Sequence, residues 1–178
     1  MANHYSTNYS SSAAATAVAD GFTPHVGEVH GRLRYKRMHF ASSGALTIND
    51  VVRMGKFKSN DRIISLHLSA DDMGTAGDVS VGLYESSSDA RDGAVIDLNL
   101  FASAVDVNAA AIYRTDVTNE SGTITADGAG RELWYQANIG GGTYTEDPGE
   151  SWDLCLEITE ATTAAGDMVL EATYVAGD

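Results

Sequence analysis

The stretch "SWDLCLEITE", residues 151–160, places Trp152, Leu154, Leu156 and Ile158 on one side of an extended chain and Asp153, Cys155 and Glu157 on the other. Successive side chains of a strand point to opposite faces, so this alternation marks a β-strand with one face in a core. The same period of two recurs elsewhere. In "DMVLEATYVA" (167–176), Met168, Leu170, Ala172 and Tyr174 alternate with Glu171 and Thr173. "RIISLHLSA" (62–70) sets Ile64, Leu66 and Leu68 against Ser65 and His67, and "DVSVGLYES" (78–86) repeats the pattern with Val79, Val81 and Leu83. Further upstream, "RLRYKRMHF" (32–40) alternates in part, and "LTINDVVRMGKF" (46–57) turns at Asn49 and Asp50 into another run. Turn-forming stretches such as "DDMGTAGD" (71–78), "TADGAGRE" (125–132), "GGGTYTEDPGES" (140–151) and "TTAAGD" (162–167) join the runs. Seven or eight short strands separated by such turns predict an all-β sandwich or barrel.

Two segments depart from this pattern. "DLNLFASAVDVNAAAIYRTDV" (97–117) is rich in Ala and spaces Leu98, Phe101, Val105 and Ala109 as a helix would, with Asp97 placed to cap it. It predicts a short helix or an ordered loop across one end of the sandwich. "RELWYQANIG" (131–140) reads as a helical turn or a strand, with the helical turn favoured. The opening twenty or so residues are small and polar and show no periodic apolar face, which predicts a flexible or extended arm, and Pro24 marks the approach to the folded part. The expected organisation is an arm over 1–30 and a β-sandwich domain over 31–178.

A chain of 178 residues with 43% apolar and 20% charged residues is the size of one domain with a proper core. Cys155 is the only cysteine, so neither an intrachain disulfide nor a multi-cysteine zinc site forms, and no cofactor is expected. The opening residues lack the basic start and unbroken apolar run of a secretory signal, and no eighteen apolar residues run together, so no membrane partner is expected. Net charge is -14. Residues 1–62 hold eight of the eleven Lys and Arg against four acids, whereas 63–178 hold three bases against twenty-one acids. A surface this negative argues against nucleic acid as a ligand, because phosphate binding needs a broad basic face.

Signatures of catalysis are sparse. There is no G-x-S-x-G, phosphate loop or dinucleotide fingerprint, and the five His (4, 25, 30, 39 and 67) fall in the arm or in early strands. Asp71, Asp72 and Asp78, and also Glu146, Asp147 and Glu150, gather oxygen ligands of the kind calcium takes, but without the loop spacing of a calcium motif. Acids in turns commonly bond their own backbone instead. His25 and His30 alone make a poor zinc site. Asp153 and Glu157, on the same strand face as Cys155, raise the pKa of its thiol, which reads as inert. Asn8 and Asn119 stand in N-x-Ser sequons that carry no weight without a secretory signal.

The basic run is the candidate site. Arg32, Arg34, Lys36 and Arg37 sit within nine positions, and Arg53, Lys56 and Lys58 continue the cluster. On an acidic body, such a face can set register against an acidic partner or the acidic side of another copy. The alternative is a solvated strand face whose charges pair with nearby acids at little benefit.

Residues 44–178, read in order, resemble a family of small virion proteins of tailed bacteriophages. The resemblance rests on "VVRMGKFKSNDRIISLHL" (51–68), "VSVGLYE" (79–85), "GAVIDLNLFASAVDVNAAAIYRTDVTNESG" (93–122) and "WYQANIGGGTYTEDPGESWDLCLEITEATTAAGDMVLEATYV" (134–175). It implies a jelly-roll-like antiparallel β-sandwich with one short helix and an extended N-terminal arm. It also implies a decoration or cement subunit without enzyme activity, made in the host cytoplasm and placed on the capsid exterior. The implied partners are the major capsid protein and further copies of the chain as a homotrimer. The expected capsid or subunit interface is the basic cluster named above with Tyr5, Tyr9 and Phe22 of the arm. Two other readings remain: a tail- or fibre-associated carbohydrate-binding module using Tyr135 and Tyr144, and a polysaccharide hydrolase using paired carboxylates.

Overall fold

A computed structural model of the chain describes residues 33–86, 93–108 and 110–177. The expectations for the arm, including Tyr5, Tyr9 and Phe22, and for Arg32 lie outside these residues.

Eight strands and one short helix make up the described chain. The strands are β1 (Leu33–Ala41), β2 (Val51–Lys58), β3 (Arg62–Ala70), β4 (Asp78–Glu85), β5 (Val95–Asp106), β6 (Ile112–Asp116), β7 (Ser151–Glu160) and β8 (Asp167–Val175), and α1 is Leu133–Ile139. They form two four-stranded sheets, in the orders β1-β8-β3-β6 and β2-β7-β4-β5. Every pairing is antiparallel. The first strand lies beside the eighth, the second beside the seventh, the third beside the sixth and the fourth beside the fifth. That is the path of one long hairpin wrapped into two sheets, a jelly roll.

The core lies between the sheets. Trp152, Leu154, Leu156 and Ile158 of β7 face Leu66 and Leu68 of β3 and Met168, Leu170 and Ala172 of β8 across the gap, all at or near zero exposure. Each such side chain contributes about 1.5–3 kcal/mol by leaving water. Helix α1 closes one end. Its first amides would otherwise lack partners, and here Leu133 N donates to the Asp61 carbonyl (2.9 Å) and Trp134 N to the Ser59 carbonyl (2.9 Å). These two bonds tie the helix to the β2–β3 turn. Glu132, just before the helix, accepts from Arg62. Burial alone would raise the Glu132 carboxyl, but its own backbone N–H, Arg62 and Arg131 outweigh that and hold it below the usual carboxylate range.

Three expectations are corrected. The stretch 97–117 is not helical: it holds most of β5, all of β6 and the turn between them. Leu83 pairs with Asp97 but Val81 pairs with Ala102, so β5 carries three extra residues in a bulge. That insertion buries Leu100, Phe101 and Ala102 in succession and erases the period of two. Asp97 caps no helix; its carboxylate accepts from Asn99 N within the bulge (3.0 Å). On β3, Ile63 rather than Ile64 is buried, because a bulge between Ile63 and Ser65 turns Ile64 outward. On β7, Cys155 and Asp153 are buried although they alternate with the core residues, so the middle of this strand is covered on both faces.

The covering of the β2-β7-β4-β5 sheet sets a steric limit at Gly82. A Cβ there would overlap the Asp97 carbonyl oxygen and the Leu98 backbone, because the bulged β5 crosses close above it. Backbone yields less readily than a side chain, so Gly82→Ala is expected to lower stability by about 3 kcal/mol, the upper part of the overpacking range. Urea unfolding followed by Trp fluorescence measures this as a lower midpoint at unchanged slope.

Candidate interaction surface

β1 is an edge of one sheet and β2 an edge of the other, and the two strands meet on the same side of the sandwich. The two edges form a wall of six bases against one acid, Asp50, over residues 33–58. Arg34, Lys56 and Lys58 are exposed on it, Arg37 is exposed towards the outer face of the β1-β8-β3-β6 sheet, and among the described residues these four form no ion pair. The other two bases serve the fold. The Lys36 ammonium donates to the Lys56 carbonyl (2.8 Å) and lies 4.8 Å from the centre of the Phe57 ring, strapping β1 to β2. Gly55 leaves room for it, since a Cβ there would sit 3.2 Å from Lys36 Cε.

Arg53 is turned onto its own sheet. Its guanidinium donates to Asp153 Oδ2 (2.6 Å) and to the carbonyls of Glu85 (3.0 Å) and Gly93 (3.1 Å), the two ends of the β4–β5 connection. Ser86 Oγ donates to the other Asp153 oxygen. Arg53 also stacks on Tyr84 (5.6 Å), whose hydroxyl donates to Glu157. Burial first, then this bond to Glu157, raises the Tyr84 phenol above its ordinary pKa. Cys155 lies in this same sheet, in register with Arg53 on one side and Gly82 on the other. Desolvation above all, with Asp153 and Glu157 adding to it and Arg53 opposing it, pushes its thiol up to about 12, so the sulfur stays a buried thiol.

The outer face of the β1-β8-β3-β6 sheet carries a polar network that the sequence did not reveal. Glu171, on the central strand β8, accepts from the Tyr35 hydroxyl and from Arg114 Nη1 (2.6 Å), and His39 Nε2 lies 3.0 Å from Asp167. The hydrogen bond to Glu171 raises the Tyr35 phenol, with burial and the charge of Glu171 adding to it. Glu171, Arg114, His39 and Asp167, with Arg37 and Tyr113, line an open hollow of about 320 Å³. Beside it, Arg114 adopts a left-handed backbone (φ 49°) at a bulge in the β3–β6 pairing, and Tyr113 projects at 79% exposure. The helical spacing of apolar residues over 97–117 conceals this pair in the sequence; the Ile-Tyr-Arg-Thr run, rich in β-formers, is the signal for the strand.

The acids of these turns accept from backbone amides. Asp72 accepts from Gly74 N (2.8 Å) and Asp147 from Gly149 N (3.0 Å) within their own turns, and Asp71 accepts from Asp167 N (3.0 Å) at the start of β8. The tyrosines named for a carbohydrate platform are engaged as well: Tyr144 packs on Trp152 (5.2 Å), and the Tyr135 hydroxyl donates to Asp127 (2.6 Å).

No family model and no curated protein matches the chain. Among solved structures it is similar to a chain in the capsid of Ralstonia phage GP4, with a TM-score of 0.54 and 15% identity over 83% of this chain and 86% of that one. A chain in the capsid asymmetric unit of cyanophage Pam1 is also similar, with a TM-score of 0.49 and 15% identity over the same shares. At this identity the likeness is one of fold.

The Arg53 clamp predicts a division within the basic cluster. Arg53→Ala leaves the buried Asp153 carboxylate without its cation and is expected to cost about 3 kcal/mol. Arg34→Ala and Lys58→Ala, at exposed positions, are expected to stay within about 0.5 kcal/mol of the unsubstituted protein. Thermal or urea melts of the three variants check this ordering.

Proposed function

We propose that this chain is a structural virion protein that binds the outside of a phage capsid and stabilises it by bridging capsomers. The observation that carries the reading is the fold: the two-sheet jelly roll is shared with a chain in the capsid of Ralstonia phage GP4 over most of both lengths. The charge layout supports it too. Four exposed cations gather on strands β1 and β2 of a protein whose net charge is -14, which suits attachment in a fixed orientation. In this reading the chain acts by holding on, without catalysis, after synthesis in the host cytoplasm.

Attachment to the shell is assigned to the leading segment, with Tyr5, Tyr9 and Phe22 as its apolar anchors and Arg32 beside the start of β1. A tethered second contact raises effective affinity by about 10² to 10⁴ when the geometry allows both to engage. The acidic remainder keeps many copies soluble before assembly.

Co-sedimentation of the purified chain with emptied heads of the phage that encodes it tests the reading. The full chain is expected to pellet with the heads, and a chain lacking residues 1–25 is expected to stay in the supernatant. Undiminished binding by the truncated chain would remove the arm from the proposal, and failure of the full chain to bind would remove the capsid role.

A further inference from the structure

The side of the sandwich opposite the β1–β2 wall is formed by β5 and β6, the other two sheet edges. Ser121 N donates to the Phe101 carbonyl (3.1 Å) and Ser103 N to Glu120 (2.8 Å), joining the chain after β6 to β5. Residues 93–122 hold four acids, Asp97, Asp106, Asp116 and Glu120, against one base. That base, Arg114, is already bonded to Glu171. Asp106 and Asp116 each spend one oxygen on a nearby amide, Asn108 N (2.7 Å) and Thr118 N (2.9 Å). The bonds from the Thr118 hydroxyl and amide, with His67 opposite, hold the Asp116 carboxyl below the ordinary range and therefore charged. The sandwich thus has a basic side and an acidic side, about 15 Å apart at the strand spacing of four-stranded sheets.

Most of the exposed apolar side chains follow the same division. Of the eight large hydrophobic residues exposed among the described residues, only Ile64 lies on an inner strand. Leu33, Ile48 and Val51 belong to the basic side and Val95 and Leu98 to the acidic side, while Tyr35 and Tyr113, of edge strands β1 and β6, lie on the outer face of the β1-β8-β3-β6 sheet. Apolar and aromatic contacts flanked by complementary charge are the ordinary composition of a protein–protein interface.

We propose that copies of this chain associate side by side, the basic β1–β2 wall of one against the acidic β5–β6 wall of the next. Charge complementarity selects the occupant. Two basic walls repel each other, as do two acidic ones, so a symmetric contact of either wall with itself is disfavoured and only the head-to-tail pairing brings opposite charges together. A head-to-tail contact closes into a ring or grows as an open series, according to the rotation between the two walls. The proposal does not depend on the capsid role and is tested without capsids.

Sedimentation velocity on the full chain at about 0.1 M salt, where charges beyond about 10 Å are screened but contact pairs act, is expected to show oligomers. These are expected to shift towards monomer at about 1 M salt, where screening reaches about 3 Å. A basic-wall variant (Arg34→Gln, Lys56→Gln and Lys58→Gln) and an acidic-wall variant (Asp106→Asn, Asp116→Asn and Glu120→Gln, which keep their backbone acceptors) are each expected to be monomeric. Mixed in equal amounts, they retain one intact wall each and are expected to form dimers and nothing larger. Val95→Ser, which removes an exposed apolar side chain of β5 and no core contact, serves as a second acidic-wall variant should the first fail to fold. A wild-type chain that stays monomeric, variants that associate as it does, or a mixture without dimers would each overturn the proposal.

Discussion

Trp152, Leu154, Leu156 and Ile158 fill the gap between the two sheets, while Asp153 and Cys155, on the other face of the same strand, lie in the sheet that Arg53 and Tyr84 cross. Strand β7 is therefore enclosed on both sides, and the rest of the sandwich is arranged around that enclosure. Its apolar face needs the opposing sheet, which brings in β3 and β8. Its polar face needs Arg53 from β2 and the ends of the β4–β5 connection. With the inner strands committed to the core, the four edge strands are left to meet other molecules.

Much of the fold is legible in the sequence because alternation reports half-buried strands directly. The strands β7, β8 and β4 are legible in this way, and the helical turn favoured over the strand for 131–140 corresponds to α1. Reading failed where the backbone departs from regular pairing. The bulge in β5 places three buried residues in a row, which imitates a helical face, and the bulge at Ile64 exchanges the inward and outward positions of β3. Neither insertion leaves a signal in residue type alone. Cys155 was placed on a polar face because its neighbours at one residue's distance are Leu, and its covering comes from residues far away in the chain.

The basic cluster was legible as a charge run, but its members differ in what they do. Arg34, Arg37, Lys56 and Lys58 are exposed, whereas Lys36 and Arg53 bond backbone carbonyls and carboxylates within the fold. Sequence separates these roles poorly, since the outcome depends on which strand lies across the sandwich. The acidic counterpart was visible only as an excess of acid over 63–178. The topology collects part of that excess on one side by setting the β5 edge of one sheet beside the β6 edge of the other, opposite the edges that carry the bases.

Edge strands carry main-chain amides that have no partner within their own sheet, so association through the two walls changes their exchange with solvent. Hydrogen exchange with mass spectrometry, compared between dilute and concentrated protein at about 0.1 M salt, is the most direct measurement. The account predicts that protection rises in β1 and β2 and in β5 and β6 together, while β3, β4, β7 and β8 stay unchanged. Protection that rises on one wall alone, or on the outer sheet faces instead, would contradict it.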